Sequence, residues 1–237
     1  MNAEKLKIEL FADGANLDEM RLMNDQSYIS GLTTNPTLMH KAGIKDYRQF
    51  AREVLQFVSE KPISFEVFSD ELDEMEHQAL DIASWGPNVY VKIPITNSIG
   101  ESTKPVIKRL IENKVKINIT AVMTTEQIDL IKDVFDPHLP TFVSVFAGRI
   151  ADTGRNPEII VSSILKNLER FAETRVIWAS PREFYNVIQA EQVGCHIITA
   201  TSEILNKMNM LGKDLNEYSL ETVQMFRRDA IASNFKL

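Results

Sequence analysis

The sequence has a single cysteine among 237 residues and no excess of positive charge. One cysteine excludes an intramolecular disulfide framework and a zinc or iron–sulfur site built on several cysteines. The 26 Lys and Arg residues stand against 33 Asp and Glu residues, for a net charge of −7. A nucleic-acid binder needs a positive face to displace counterions from phosphate groups. Nucleic acid is therefore not expected as a partner.

Long apolar runs and glycine-rich motifs are also missing. No stretch of about 18 apolar residues is present, so no membrane-spanning helix is predicted. The opening Met-Asn-Ala-Glu-Lys-Leu-Lys lacks the apolar run of a signal peptide, and a cytoplasmic location is expected. The nine glycines include no G-x-G-x-x-G motif, which counts against a nucleotide-binding sheet. The four histidines lack metal-ligand spacing, so no metal is predicted.

Short apolar runs alternate with longer helical patterns along the chain. Apolar residues spaced three and four apart predict helices over Lys45–Glu60, Asp70–Ser84 and Glu158–Phe171. Ser180 and Glu183 occupy capping-box positions before a further helix. The predicted strands are Lys7–Ala12, Tyr28–Thr33, Ile63–Val67, Val89–Ile93, Lys116–Thr120, Thr141–Phe146, Arg175–Ala179 and His196–Thr199.

This alternation predicts parallel strands joined by helical crossovers. A closed barrel of that kind needs roughly 250 residues or slightly fewer, and the whole chain, 1–237, fits one such domain. An open, doubly wound sheet is the alternative, but its usual glycine-rich first turn is missing. The sequence therefore favours an α/β protein with a (β/α)8 TIM barrel and an extra C-terminal helix at about 214–233.

Polar residues follow the predicted strands at the ends where TIM barrels place their active sites. Lys92 is the most informative, because it lies in the apolar run Val89–Pro94, where a charged amine is costly without partners. Desolvation favours the neutral amine, which can attack a carbonyl carbon to form a Schiff base. A structural lysine, solvated or paired with a carboxylate, is the alternative. The strand-end residues are Asp13, Asn35, Glu66, Lys92, Asn118, Thr120, Ser144, Arg149 and Ser180.

Two of these residues, Asp13 and Glu66, are carboxylates from different strands, and such a pair can divide acid and base roles. A structural or capping role is open to each of them. Asn35 precedes Pro36 and also fits the cap of the next helix. These residues alone therefore leave a catalytic and a structural interpretation open.

Three residues near two strand ends can bind an anion. Ser180 begins a predicted helix, and a helix N-terminus attracts phosphate. Arg149 and Arg182 follow two strands, and paired arginines clamp anions through charge-assisted hydrogen bonds. Helix capping by Ser180 and an ordinary surface position for the arginines are the alternatives.

Taken together, the motifs resemble the transaldolase family, including its short branch and the related fructose-6-phosphate aldolases. They occur in family order across nearly the whole chain. Thr-Thr-Asn-Pro and Val-Lys-Ile-Pro together are specific, whereas each alone is weak. The matching segments are Phe11–Asp13, Gly31–Thr37, Phe65–Val67, Val91–Pro94, Asn118–Thr120, Val143–Arg149, Ala179–Arg182 and Ile197–Thr199.

The resemblance implies a class I mechanism on sugar-phosphate substrates, without a metal or other cofactor. It implies that Lys92 forms a Schiff base with the C2 carbonyl of a ketose phosphate, and that Asp13 takes the proton of the C4 hydroxyl. It implies that Glu66, with Thr120 holding a water, moves protons as the Schiff base forms. It also implies a homo-oligomer with the C-terminal helix as a contact. The substrate-binding residues implied are Asn35, Asn118 and Ser144 at the substrate hydroxyls, Phe146 beside the enamine, and Arg149, Ser180 and Arg182 at the phosphate.

Two positions separate the branches of the family. The aldolase branch resembles a pattern with Gln at the position of Glu66 and Tyr at that of Phe146, whereas this sequence has Glu and Phe. With no phenol to protonate the enamine, transfer to an acceptor is favoured over release of dihydroxyacetone. An aldolase-type lyase and a non-catalytic sugar-phosphate-binding barrel are the alternatives. Gly14 and Val145 depart from the usual Thr and Pro, and these departures bear on substrate choice.

Overall fold

The computed structural model describes residues 6–233, and eight parallel strands close into a barrel. The strands are β1 Glu9–Asp13, β2 Ile29–Thr33, β3 Ile63–Glu66, β4 Val89–Pro94, β5 Ile117–Val122, β6 Thr141–Val145, β7 Thr174–Trp178 and β8 Ile197–Ala200. Each strand pairs with the next in sequence, and β8 pairs with β1. The predicted (β/α)8 barrel is confirmed, and all eight predicted strands are present. The single domain over 1–237 stays a prediction, because 1–5 and 234–237 lie outside the described residues.

Helices follow the strands around the outside of the barrel. They are α1 Leu17–Asn24, α2 Pro36–Lys41, α3 Tyr47–Leu55, α4 Leu72–Ala83, α5 Lys104–Glu112, α6 Thr125–Ile131, α7 Ala147–Asp152, α8 Pro157–Leu168, α9 Tyr185–Gln192, α10 Ser202–Leu205 and α11 Leu215–Ala232. The helix α11 lies where the C-terminal helix was predicted. Between residues 6 and 233, no helix has the length and apolar character to cross a membrane.

The predicted capping box at the start of α9 is wrong. The helix begins at Tyr185, and the residue before it makes no side-chain cap. The carboxamide oxygen of Asn186 instead accepts hydrogen bonds from the backbone N–H groups of Arg182, at 2.7 Å, and Glu183, at 3.1 Å. Ser180 has a φ of 60°, so it stands in a turn well before the helix. A side chain inside the helix thus accepts from the Glu183 N–H, which the Ser180 side chain was expected to satisfy.

An aromatic cluster fills the lower interior of the barrel. Phe11 and Phe142 lie on strands that are not neighbours, and their rings meet edge to face at 5.7 Å, so they pack across the barrel. Tyr90 stacks on Phe142 at 4.0 Å. Gly31 leaves room for this packing, because a Cβ there would lie 2.5 Å from the Phe11 ring. This cluster closes the barrel below the polar residues.

Polar side chains lie one layer above the aromatic cluster. Side chains two residues apart on a strand point to the same face. Phe11 is therefore followed by Asp13, Tyr90 by Lys92 and Phe142 by Ser144. The alternation that builds the apolar floor thus also directs the polar groups into the mouth of the barrel.

Candidate active site

Lys92 and Glu66 form an ion pair at the top of the barrel interior. The Lys92 Nζ lies 3.0 Å from Glu66 Oε2, and the Lys92 side chain is 7% exposed. The strand register explains the pair, because Glu66 on β3 is opposite Lys92 on β4. Nζ also donates to the carbonyl oxygen of Thr34 at 2.9 Å. The amine that the sequence singled out is thus buried with two oxygen partners.

Asp13 lies on the β1 side of the same cavity. Its carboxylate accepts hydrogen bonds from Thr33 Oγ1 at 2.8 Å and Asn35 Nδ2 at 3.0 Å. Burial raises the pKa of Asp13 above its ordinary value of 3.8, against the lowering effects of Lys92 and the two hydrogen bonds. A carboxylate with a raised pKa is a stronger proton acceptor. Asn35 combines this contact with a cap, since its Oδ1 accepts from the backbone N–H of Leu38 at 2.9 Å.

Hydroxyl and amide groups line the opposite side, on β5 and β6. Ser144 Oγ donates to Asn118 Oδ1 at 2.8 Å, and Asn118 Nδ2 donates to Ser64 Oγ at 3.0 Å. Asn118 is fully buried beneath the cavity and holds Ser144 at its surface. Thr120 Oγ1 is buried and has no hydrogen-bond partner among residues 6–233. An unpartnered buried hydroxyl at a cavity wall suits a bound water or a polar ligand atom.

Arginines and a strained turn form the far rim of the cavity. Ser180 has a φ of 60°, in the left-handed region that serine rarely adopts. Its carbonyl oxygen lies so close to Gly148 that a Cβ there would be 1.7 Å away. Arg182 is paired with Asp152, with Nε 3.1 Å from Oδ1. The Arg149 guanidinium lies 5.7 Å from the ring centre of Phe146.

One cavity of about 370 Å³ joins these groups at the carboxyl ends of the strands. Ten of the eleven predicted site residues line it, and Asn118 lies below. Between residues 6 and 233, no group of three or more His, Cys, Asp or Glu side chains could hold a metal ion. The ten lining residues are Asp13, Asn35, Glu66, Lys92, Thr120, Ser144, Phe146, Arg149, Ser180 and Arg182.

Sequence reasoning missed several groups that hold the site together. Thr33 contacts both Asp13 and Thr199, whose Oγ1 lies 2.6 Å from that of Thr33. Both threonines stand in segments that match the family, and their place at strand ends was an available signal. The Thr34 carbonyl and the Arg182–Asp152 pair gave no signal, because a backbone oxygen and a helix aspartate look ordinary in a sequence.

The fold and the site define a barrel protein whose buried lysine, flanked by two carboxylates, faces an open cavity. Residues 10–237 match the family model described as Transaldolase/Fructose-6-phosphate aldolase. The chain belongs to this family, and it is an enzyme of the transaldolase/aldolase type. A probable transaldolase of Dehalococcoides mccartyi is 34% identical over 202 residues, covering 85% of this chain and 90% of that protein. A probable transaldolase of Thermoanaerobacter is 34% identical over 215 residues, covering 90% and 94%.

Two solved structures share the fold at low sequence identity. The KGPDC protein from Streptococcus mutans has a TM-score of 0.55 and 13% identity, covering 82% of this chain and 88% of that one. A mandelate oxidase mutant has a TM-score of 0.54 and 11% identity, covering 94% and 74%. At these identities the comparison shows the barrel fold alone.

Proposed function

We propose that this enzyme is a transaldolase, which moves a dihydroxyacetone unit between sugar phosphates through a Schiff base on Lys92. One observation carries the proposal: a buried amine lies at the cavity floor with Glu66 on one side and the Thr34 carbonyl on the other. The membership of the transaldolase/aldolase family supports the same chemistry. The mechanism needs no metal, because the iminium itself serves as the electron sink.

The first half of the reaction forms and cleaves the donor adduct. The Lys92 amine attacks the C2 carbonyl carbon of a ketose phosphate, and the carbonyl oxygen becomes a hydroxyl. That hydroxyl leaves as water with a proton delivered by Glu66, through a water held by Thr120, and an iminium remains. Asp13 then takes the proton of the C4 hydroxyl. The C3–C4 bond breaks, its electron pair moves into the iminium to form an enamine, and an aldose phosphate leaves.

The second half reverses these steps on another aldehyde. The enamine carbon attacks the acceptor carbonyl, a new carbon–carbon bond forms, and the acceptor oxygen receives the proton held by Asp13. Water then adds to the iminium with help from Glu66 and releases the new ketose phosphate. The raised pKa of Asp13, caused by burial, suits a carboxyl group that accepts and returns a proton in one cycle.

The remaining residues bind the substrate in this scheme. Asn35 and Ser144 contact the sugar hydroxyls, and Asn118 acts on the same hydroxyls through its hydrogen bond with Ser144. The phosphate lies at the far rim, against Arg149, Ser180 and Arg182. Two guanidinium groups and a hydroxyl that line the same cavity support a phosphate site at this rim.

The absence of a phenol at Phe146 favours transfer over simple cleavage. Phe146 lines the cavity beside Ser144, and a phenyl ring cannot protonate the enamine. An assay with fructose 6-phosphate, with and without erythrose 4-phosphate, tests the proposal. We expect rapid turnover only when the acceptor is present. Equal rates with and without acceptor would favour the fructose-6-phosphate aldolase reaction instead.

We also propose that the enzyme is a homo-oligomer in which a second copy covers α11. This helix has no buried residue, although helices in proteins gain most of their stability by packing an apolar face against other elements. Light scattering during gel filtration is expected to give a multiple of 27.0 kDa. Phe226→Glu is expected to lower that mass, whereas a monomeric wild type would overturn the proposal. The large exposed apolar residues of α11 are Leu215, Tyr218, Leu220, Val223, Met225, Phe226 and Ile231.

A further inference from the structure

The backbone of Glu66 lacks its strand partner on one side. Along β3, the N–H of Ile63 and, just past the strand end, that of Val67 point to the β4 side, where they donate to Asn88 and Lys92 carbonyls. Alternate residues of a strand direct their backbone groups to opposite neighbours. The N–H and C=O of Glu66 therefore face β2. Two unpaired backbone groups at the edge of a cavity would be costly.

The strand β2 supplies neither partner. Its register with β3 pairs Thr33 with Ser64, and Thr34 N donates to the Ser64 carbonyl at 3.1 Å. Two residues further along, the same register would offer Glu66 the carbonyl of Thr34 and the N–H of residue 36. Residue 36 is proline and has no N–H. The Thr34 carbonyl already accepts the hydrogen bond from Lys92 Nζ.

The Tyr47 phenol on α3 makes both missing contacts. The Glu66 N–H donates to Tyr47 Oη at 2.8 Å, and Tyr47 Oη donates to the Glu66 carbonyl at 3.1 Å. The Tyr47 ring packs at 6.1 Å from that of Phe65, at 4.5 Å from Phe68 and at 5.5 Å from Trp85. Burial raises the pKa of Tyr47 above its ordinary value, so the hydroxyl stays protonated and can act as donor and acceptor at once.

We infer that Tyr47 is a positioning residue for the Lys92–Glu66 pair, an inference that rests on the proposed Schiff-base function. The phenol oxygen accepts the hydrogen bond from the Glu66 N–H, so the N–H does not compete with Lys92 for the Thr34 carbonyl. It also fixes the backbone from which the Glu66 carboxylate reaches Nζ at 3.0 Å. Without the hydroxyl, the Glu66 N–H would turn to the Thr34 carbonyl as β-pairing dictates. This movement would shift the Glu66 carboxylate relative to Nζ, and Lys92 would share the Thr34 carbonyl with a second donor.

The test compares Tyr47→Phe, Tyr90→Phe and the wild type in the rate of Schiff-base formation. Tyr90 serves as the control, because its substitution also removes one phenolic hydroxyl, but its ring stacks on Phe142 in the layer below Lys92. Each protein is mixed rapidly with fructose 6-phosphate and quenched with borohydride at successive times. Borohydride donates hydride to the iminium carbon and leaves a stable secondary amine, which intact-protein mass counts. The final yield of adduct measures the fraction of protein molecules that can form the Schiff base. The rate constant measures how fast Lys92 forms it in those molecules.

We expect Tyr47→Phe to form the adduct about tenfold more slowly, equivalent to about 1.4 kcal/mol in the barrier. Its KM for fructose 6-phosphate should stay within about twofold, since the hydroxyl- and phosphate-binding groups are untouched. Tyr90→Phe should match the wild type. A lower yield with an unchanged rate constant would show that Tyr47 only stabilises the fold, and it would overturn the inference. If all three proteins form adduct at one rate, the inference fails while the proposed function stands. A wild type without adduct would overturn both.

Discussion

Adding one methyl group at Gly148 is expected to disrupt the far rim of the cavity. A Cβ at this position would lie 1.7 Å from the carbonyl oxygen of Ser180 and 2.8 Å from its carbonyl carbon. Carbon and oxygen atoms that are not bonded approach to about 3.3 Å, so the two backbones must separate by about 1.6 Å. Because the obstacle is backbone, no side-chain rotation relieves the clash.

Gly148→Ala should lower the free energy of unfolding by an amount in the upper part of the range for overpacked cores, which is about 1–3 kcal/mol. Gly14→Ala is the matched control at another strand end, since its Cβ would make an ordinary contact of 3.5 Å with the Met20 side chain. Urea unfolding gives the two free energies of unfolding. Steady-state kinetics should show a higher KM for phosphorylated substrates in Gly148→Ala, because Ser180 moves. Equal stability and equal KM in the two variants would refute this reasoning.

Three further predictions concern Phe146, the phosphate-binding arginines and the pH dependence of stability. Phe146→Tyr should raise the rate at which dihydroxyacetone is released from fructose 6-phosphate without acceptor. An unchanged rate would show that the missing phenol at this position does not decide between transfer and cleavage. Arg149→Ala and Arg182→Ala should each raise KM for phosphorylated substrates, because each variant loses about 1.5–3 kcal/mol of binding free energy. The KM for unphosphorylated substrates should not change. An equal rise in KM for both kinds of substrate would show that the arginines have a structural role. Burial and neighbouring charge lower the pKa of His196, whose Nδ1 accepts from the Val176 N–H at 2.9 Å. The neutral form of His196 therefore stabilises the folded protein fully above pH 6.5, and this stabilisation is lost as the pH falls through the lowered pKa. The temperature of thermal unfolding should consequently depend less on pH in His196→Gln than in the wild type.

Strand positions and the location of the site were predictable because simple spacings determine them. Short runs rich in Val and Ile favour strands, and their alternation with helices favours a parallel sheet with helical crossovers. The carboxyl ends of those strands then converge, so Asp13, Glu66 and Lys92 could be grouped before their contacts were known. The pairing of Glu66 with Lys92 follows from the barrel register, which the sequence does not specify.

The contacts that the sequence did not reveal depend on backbone geometry. Ser180 was expected to cap α9, but it lies in a turn with a left-handed backbone conformation, and the Asn186 side chain accepts the hydrogen bond from the Glu183 N–H instead. Tyr47 reads as an ordinary aromatic residue of an amphipathic helix. Its role is visible only when the strand register shows that Pro36 and the Thr34 carbonyl cannot pair with Glu66. Hydrogen-bond partners of single backbone groups are set by register and turn, and no residue pattern records them.

The central claim is that Lys92 carries the substrate as a Schiff base, and covalent trapping tests it most directly. The protein is incubated with fructose 6-phosphate and borohydride, digested, and mapped by peptide mass spectrometry. The account predicts a reduced sugar-phosphate adduct on the peptide that contains Lys92, and no such adduct in Lys92→Ala, which circular dichroism should show to be folded. Turnover that persists in Lys92→Ala, or an adduct on a different lysine of the wild type, would contradict it.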